Sequence, residues 1–183
     1  MKFPKDILVI DFEGVRHPVQ VGAILLDKDT LEEKGDFLSY IYADLPDKIV
    51  KKSGITQAMI NDAPKQEEIG KMIYEKFGSN LFLASWVQSL DLSHFASLMN
   101  KANLDFTEGP VNFSKYDFHV LDIWPMAYIH ALKNGYTGGV GSEELFQYFG
   151  AKPRDLHNAL EDCRIAADVL RKIIQFPEGP SLI

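Results

Sequence analysis

Two acidic residues close the first apolar run of the chain. Ile7-Leu8-Val9-Ile10-Asp11-Phe12-Glu13 is aliphatic and β-branched until it reaches Asp-x-Glu. Side chains at i and i+2 of a strand point to the same face, so Asp11 and Glu13 would stand side by side. Two such carboxylates repel unless one is protonated or a cation lies between them. A hard divalent cation with oxygen ligands answers that need. The alternative is a strand that runs out into solvent with both acids hydrated.

Two further acidic sites occur downstream. Asp91 lies in Val87-Gln88-Ser89-Leu90-Asp91-Leu92-Ser93-His94-Phe95, where a short apolar segment gives way to helical spacing. A late site reads His157-Asn158-Ala159-Leu160-Glu161-Asp162. Helical positions five apart are well separated in angle, so one metal would not take both His157 and Asp162 without distortion. That spacing predicts Asp162 as a ligand and His157 reaching in from the helix entrance. Singly, Asp91 fits a helix N-cap and His157 a surface histidine. Only their joint order with Asp11, Glu13 and Asp162 argues for more. Glu161 is expected to point away and Asp122 to cap a helix. His17, His94, His119 and His130 have no partner at metal-ligand spacing.

These residues need elements to hold them. Residues 6–12, 19–26 and 36–42 read as three strands with short links, an antiparallel meander. Gly14 to Pro18 punctuates the first link. Residues 46–52 read as a lysine-bearing loop or short helix, and 56–61 as a short helix. Ile69, Met72, Ile73 and Phe77 recur at helical spacing over 66–77. Residues 80–86 form a buried strand, 92–102 a helix, 118–121 a fifth strand and 123–132 a helix with Pro125 in its first turn. A glycine-rich loop at 135–141 lacks the lysine of a P-loop, so it reads as a connection. Ser142 is the expected N-cap of a helix ending near Gly150. The last helix runs from about 158 to 174 and is ended by Pro177, Gly179 and Pro180. A meander followed by alternating strands and helices predicts an α/β fold, a mixed sheet of about five strands flanked by helices.

Bulk properties narrow the class. The 183 residues suggest one domain, 1–183, with a proper core. Cys163 is the lone cysteine, which excludes an internal disulfide and a cysteine-based zinc site. No apolar run approaches a bilayer span, and the start of the chain has no signal-like apolar segment, so a cytoplasmic protein without membrane contact is expected. The net charge of −7 argues against a broad basic face for nucleic acid. It does not exclude an enzyme that holds one strand end through metal ions, which invert the local field. Lys48, Lys51, Lys52, Lys152 and Arg154 are cations available to a phosphate backbone, with a solvated surface as the alternative.

Asp-x-Glu, a middle Asp and His-x-Ala-x-x-Asp in that order resemble the DEDDh 3′–5′ exonucleases of the ribonuclease H-like superfamily. The resemblance spans nearly the whole chain. Val21-Gly22-Ala23-Ile24 is similar to the family's second strand, and Ser53-Gly54-Ile55-Thr56 with Met59-Ile60 and Ala63-Pro64 to its "GIT" segment. Leu121-Asp122-Ile123 and 145–150 also match family landmarks. The resemblance implies that Asp11, Glu13 and Asp162 hold two Mg²⁺ or Mn²⁺ ions, with Asp91 completing the site partly through water. It implies His157 as the general base, and Phe12, Gly14 and Val15 against the terminal nucleotide. Phe12 also alternates away from its acidic neighbours, which fits a core position.

The chemistry suits these residue types. Phosphodiester hydrolysis needs a nucleophile at neutral pH and a stabilised leaving oxygen, which two dications about 4 Å apart supply. Histidine has a suitable resting pKa for proton abstraction. The implied reaction removes nucleoside 5′-monophosphates from a single-stranded 3′ end, with RNA and DNA both open. Many relatives are dimers, so a homodimer stays open, although no apolar stripe marks an interface. Gly14-Val15 replaces the family's Thr-Thr-Gly, and Ser85-Trp86 stands where His-Asn is usual. Two rivals remain: a non-catalytic nucleic-acid-binding or assembly module that kept the fold, and a metal phosphohydrolase acting on small nucleotides.

Overall fold

A computed structural model describes residues 3–14, 16–44, 53–104, 116 and 119–175. Five strands form one sheet: β1 (Asp6–Glu13), β2 (Gln20–Leu26), β3 (Glu33–Tyr40), β4 (Leu81–Ser85) and β5 (Val120–Asp122). Their order is β3-β2-β1-β4-β5. β1, β2 and β3 pair antiparallel, whereas β4 pairs parallel with β1 and β5 parallel with β4. The helices are α1 (Gln57–Ile60), α2 (Gln66–Phe77), α3 (Gln88–Lys101), α4 (Ile123–Lys133), α5 (Ser142–Tyr148) and α6 (Ala159–Gln175). No described helix is long and apolar enough to cross a membrane.

β1 is central and buried on both sides, which explains why it reads as an unbroken apolar run. Leu8, Ile10 and Phe12 pack with Ile69 and Ile73 of α2 and with Phe95 and Leu98 of α3. Ile7 and Val9 pack the other way, onto Ala127 of α4, Leu145 and Phe146 of α5 and Cys163, Ala166 and Leu170 of α6. Asp11 and Glu13 continue this second face by strand alternation. They therefore meet α6, whose small inward residues let it lie close to the sheet.

The close approach is set at Gly22. A Cβ there would lie 2.3 Å from the backbone carbon of Ala159 and 2.4 Å from the Leu160 nitrogen. Gly22 is the register partner of Asp11, so the start of α6 is pressed against the strand pair that carries the first acid. The buried Gln20 Oε1 accepts a 3.0 Å hydrogen bond from the Ala159 N–H. Asn158 Oδ1 accepts from Leu160 and Glu161 N–H at 3.1 and 3.2 Å. Together they satisfy the open N–H groups of the helix end.

Several expected boundaries move. β3 starts at Glu33, before the expected 36, because Asp27 Oδ1 accepts from the N–H of Asp29 and Thr30 and closes the turn early. α3 starts at Gln88 instead of residue 92, which puts Asp91 inside its first turn. Ser142 is the first residue of α5 and not its N-cap; Gly141 holds the cap position, with no side-chain cap bond. Asp122 does occupy the N-cap of α4, but its side chain makes no capping bond. Expectations for 46–52, Val15, Phe118 and the stretch from Pro177 on lie outside the described residues.

Candidate active site at the carboxyl ends of the parallel strands

Open α/β sheets bind ligands beyond the carboxyl ends of their strands. Here Asp11 and Glu13 end β1, and the chain leaves β4 through Trp86 and Val87 into α3, which delivers Asp91. The opposite wall is the start of α6. A cleft of about 150 Å³ is lined by Asp11, Phe12, Glu13, Trp86, Leu90, Asp91, Ser142, Phe146, Arg154, His157 and Asp162. The five residues singled out in the sequence, His157 and the four acids, all face this one cleft.

Ligating atoms of Glu13, His157 and Asp162 lie within 4.8 Å of one another. His157 Nδ1 is 3.6 Å from Asp162 Oδ2. The angular separation expected of these two residues does not apply, because His157 precedes the first turn of α6 and is free of helical geometry. Phe12 is buried in the core beside the His94 ring and also touches the cleft. Gly14 has a φ of 105° and a Cβ there would strike the His17 carbonyl at 2.2 Å, so glycine is required to leave β1.

Crowded, buried acids dominate the electrostatics of the cleft. Asp11 is half-buried by exposed area, yet it lies deep among protein atoms, and the depth governs its charge. Burial, then the neighbouring Asp91, Asp162 and Glu13, push its carboxyl well above the usual range, against a smaller opposing pull from Arg154. Asp91 is pushed up to about 7, chiefly by burial and against the hydrogen bonds it accepts from the backbone of Val87 and Phe12. Cys163 sits beneath the same acids; burial and their charge push its thiol up, so it stays an inert core residue. Crowded carboxylate oxygens in one cleft suit hard dications.

Residues outside the predicted set of four acids and His157 complete the arrangement. Arg154 donates to Asp162 Oδ1 and to Glu143 Oε2. A solvated surface was one expectation for Arg154, but its side chain is only 11% exposed. His94 Nε2 lies 3.0 Å from the Gly14 carbonyl oxygen and ties α3 to the exit of β1. Gln20 and Gly22 fix α6 as described above. The signal for Arg154 is its place in Pro-Arg-Asp-Leu-His, three residues before the histidine. The signal for Gln20 is a polar residue at the head of an apolar strand.

An exonuclease family model, RNase_T, matches residues 8–170. The chain belongs to this exonuclease family. Its fold is the ribonuclease H-like exonuclease fold, and its acid-and-histidine pattern is that of the DEDDh group. Cell-death related nuclease 4 is similar at a TM-score of 0.70 and 17% identity, over 93% of this chain and 64% of that one. The zinc-bound E. coli exonuclease I–single-stranded DNA complex is similar at 0.71 and 18%, over 93% of this chain and 40% of that one. The nuclease domain of 3′hExo, a DEDDh family member bound to rAMP, is similar at 0.66 and 18%, over 93% and 92%. The chain thus spans less than two thirds of the first two and nearly all of the third. Comparison with curated proteins finds no sequence match.

Proposed function

We propose that the chain is a metal-dependent 3′–5′ exonuclease that releases nucleoside 5′-monophosphates one at a time from single-stranded RNA or DNA. The observation that carries this reading is the meeting of Asp11, Glu13, Asp91, Asp162 and His157, from distant stretches of chain, in one cleft at the end of β1.

Asp11, Glu13 and Asp162 would hold two Mg²⁺ or Mn²⁺ ions, with Asp91 completing the set through water. When bound, the ions lower the pKa of a water and take up charge on the leaving oxygen. His157 has Nδ1 turned toward Asp162, which leaves Nε2 to take the proton of the attacking water. The water oxygen bonds to phosphorus, and the bond to the 3′-oxygen of the penultimate nucleotide breaks. That oxygen takes up a proton, and the terminal nucleotide leaves as its 5′-monophosphate. Phe12, Gly14 and Val15 are the residues proposed to meet the terminal nucleotide.

The test is digestion of 5′-labelled single-stranded RNA and DNA with Mg²⁺ or Mn²⁺, beside a panel of free nucleoside phosphates. A ladder shortening from the 3′ end, with monophosphate products, is expected, and EDTA abolishes it. Asp11→Ala loses the activity while folding normally. His157→Ala is slowed by roughly 10²-fold or more and still binds Mn²⁺. Binding without cleavage would identify a non-catalytic module, and turnover of the free nucleotides alone would identify a small-molecule phosphohydrolase; either result overturns the proposal.

A further inference from the structure

Arg154 is the only lysine or arginine lining the catalytic cleft among the described residues. Its guanidinium is fixed on two sides. Nε and Nη2 both donate to Glu143 Oε2, at 3.0 and 2.9 Å, and the group lies 5.0 Å from the centroid of the Phe146 ring. Nη1 donates to Asp162 Oδ1, whose residue lines the cleft.

This pairing conflicts with the role proposed for Asp162. One oxygen of Asp162 is taken by Arg154 and the other faces His157. A dication that claims this carboxylate competes with Nη1 and repels the guanidinium. Glu143 and Phe146 would hold the side chain in place, since they contact its far edge and its face. Nη1 is then left with an unused donor beside the place where a phosphodiester must lie. A planar fork anchored by a carboxylate is a preorganised receptor for a phosphate oxygen.

We infer that Arg154 has two partners in succession: Asp162 before the cations bind, and a non-bridging oxygen of the substrate's terminal phosphodiester afterwards, with Glu143 as its positioning residue. The inference rests on the proposed nuclease reading. Glu143 neutralises the guanidinium, so the arginine adds a directed donor without adding net charge against the metals. The device also spares the metal-free protein the full repulsion of Asp162 with Asp11 and Asp91.

The experiment measures Mn²⁺ affinity of the full chain without nucleic acid, then KM and kcat on a single-stranded oligonucleotide. Arg154→Gln frees Asp162 and is expected to bind Mn²⁺ several-fold more tightly, while KM rises roughly ten-fold or more and kcat falls less. Arg154→Lys keeps a charge without the fork and recovers only part of the KM. Glu143→Gln leaves Arg154 paired with Asp162 alone and weakens Mn²⁺ binding. A purely structural arginine would move both variants in the same direction, together with their melting temperatures. Unchanged or weaker Mn²⁺ binding by Arg154→Gln, or an unchanged KM, overturns the inference. A wild-type protein without nuclease activity would overturn the functional reading instead, with the Mn²⁺ comparison still decisive for the ion pair.

Discussion

Gly22→Ala places one methyl group between the sheet and the start of α6. The new Cβ would lie 2.3 Å from the Ala159 carbon and 2.4 Å from the Leu160 nitrogen, where ordinary contact begins at 3.4 Å. Both neighbours are backbone, so no rotamer change relieves the clash. The helix end must retreat by about 1 Å, against the hydrogen bond that Gln20 holds on Ala159. Overpacking of this kind costs roughly 1–3 kcal/mol. For a chain of this size that is a fall of about 5 °C in Tm. The larger effect falls on chemistry. The displaced turn carries Asp162 and adjoins His157, whereas Asp11 and Glu13 stay on β1. A misplacement of about 1 Å between groups that must act together costs on the order of 10²-fold in rate.

Thermal unfolding with and without Mn²⁺, and hydrolysis of a single-stranded oligonucleotide, measure the two effects. Gly35→Ala in β3 is the control, because its Cβ would meet nothing nearer than Phe77 Cε1 at 3.8 Å. Gly22→Ala is expected to lose some stability, most of the Mn²⁺-induced rise in Tm and nearly all activity, with Gly35→Ala close to wild type. A Gly22→Ala protein with the wild-type rate would refute the claim that the α6-to-β1 spacing sets the site.

Two more predictions follow from the same geometry. Gln20→Leu leaves the Ala159 N–H buried without its acceptor, which costs roughly 1–3 kcal/mol; calorimetry should record a lower Tm, and Mn²⁺ should restore part of it. The metal-free protein should lose stability as pH rises from about 4 to about 7, because Asp91, raised to about 7 chiefly by burial, keeps in the folded state a proton that the unfolded chain releases near 4. Melting in EDTA across that range should show a downward slope that Asp91→Asn flattens and Mn²⁺ diminishes; an unflattened slope in the variant would contradict the raised carboxyl.

What the sequence made legible depended on how local the physics was. β1 could be read because a strand buried on both faces is apolar throughout, so two terminal acids stand out. The last helix could be read because Ala166, Val169, Leu170 and Ile173 repeat at helical spacing. The start of β3 could not, since Glu33-Lys34-Gly35 has no alternation and is set by pairing with β2. Arg154 was named only as one of several cations available to a phosphate backbone, and its pairing was unreadable for a related reason: its partners Glu143 and Asp162 are 11 and 8 residues away on two different helices. Gln20 acts on a residue 139 positions later. Ser142 misled because a serine before a helix usually caps it, whereas here the preceding glycine takes that position.

The chain's acidity shapes how it can meet a polyanion. Around the cleft stand Asp11, Glu13, Asp91, Asp162 and Glu143 against one arginine. Before cations bind, this surface repels a phosphodiester over about one Debye length, roughly 8 Å at physiological ionic strength. Two dications would cancel four of the carboxylates, and the Arg154–Glu143 pair is already neutral. The local field would then change from repulsive to permissive, with Arg154 the one lysine or arginine lining the cleft among the described residues. On the proposed reading, substrate capture would depend on the same ions that supply the chemistry. An acidic net charge is compatible with the nucleic-acid substrate proposed above, because affinity would be concentrated at one strand end and not spread along the backbone.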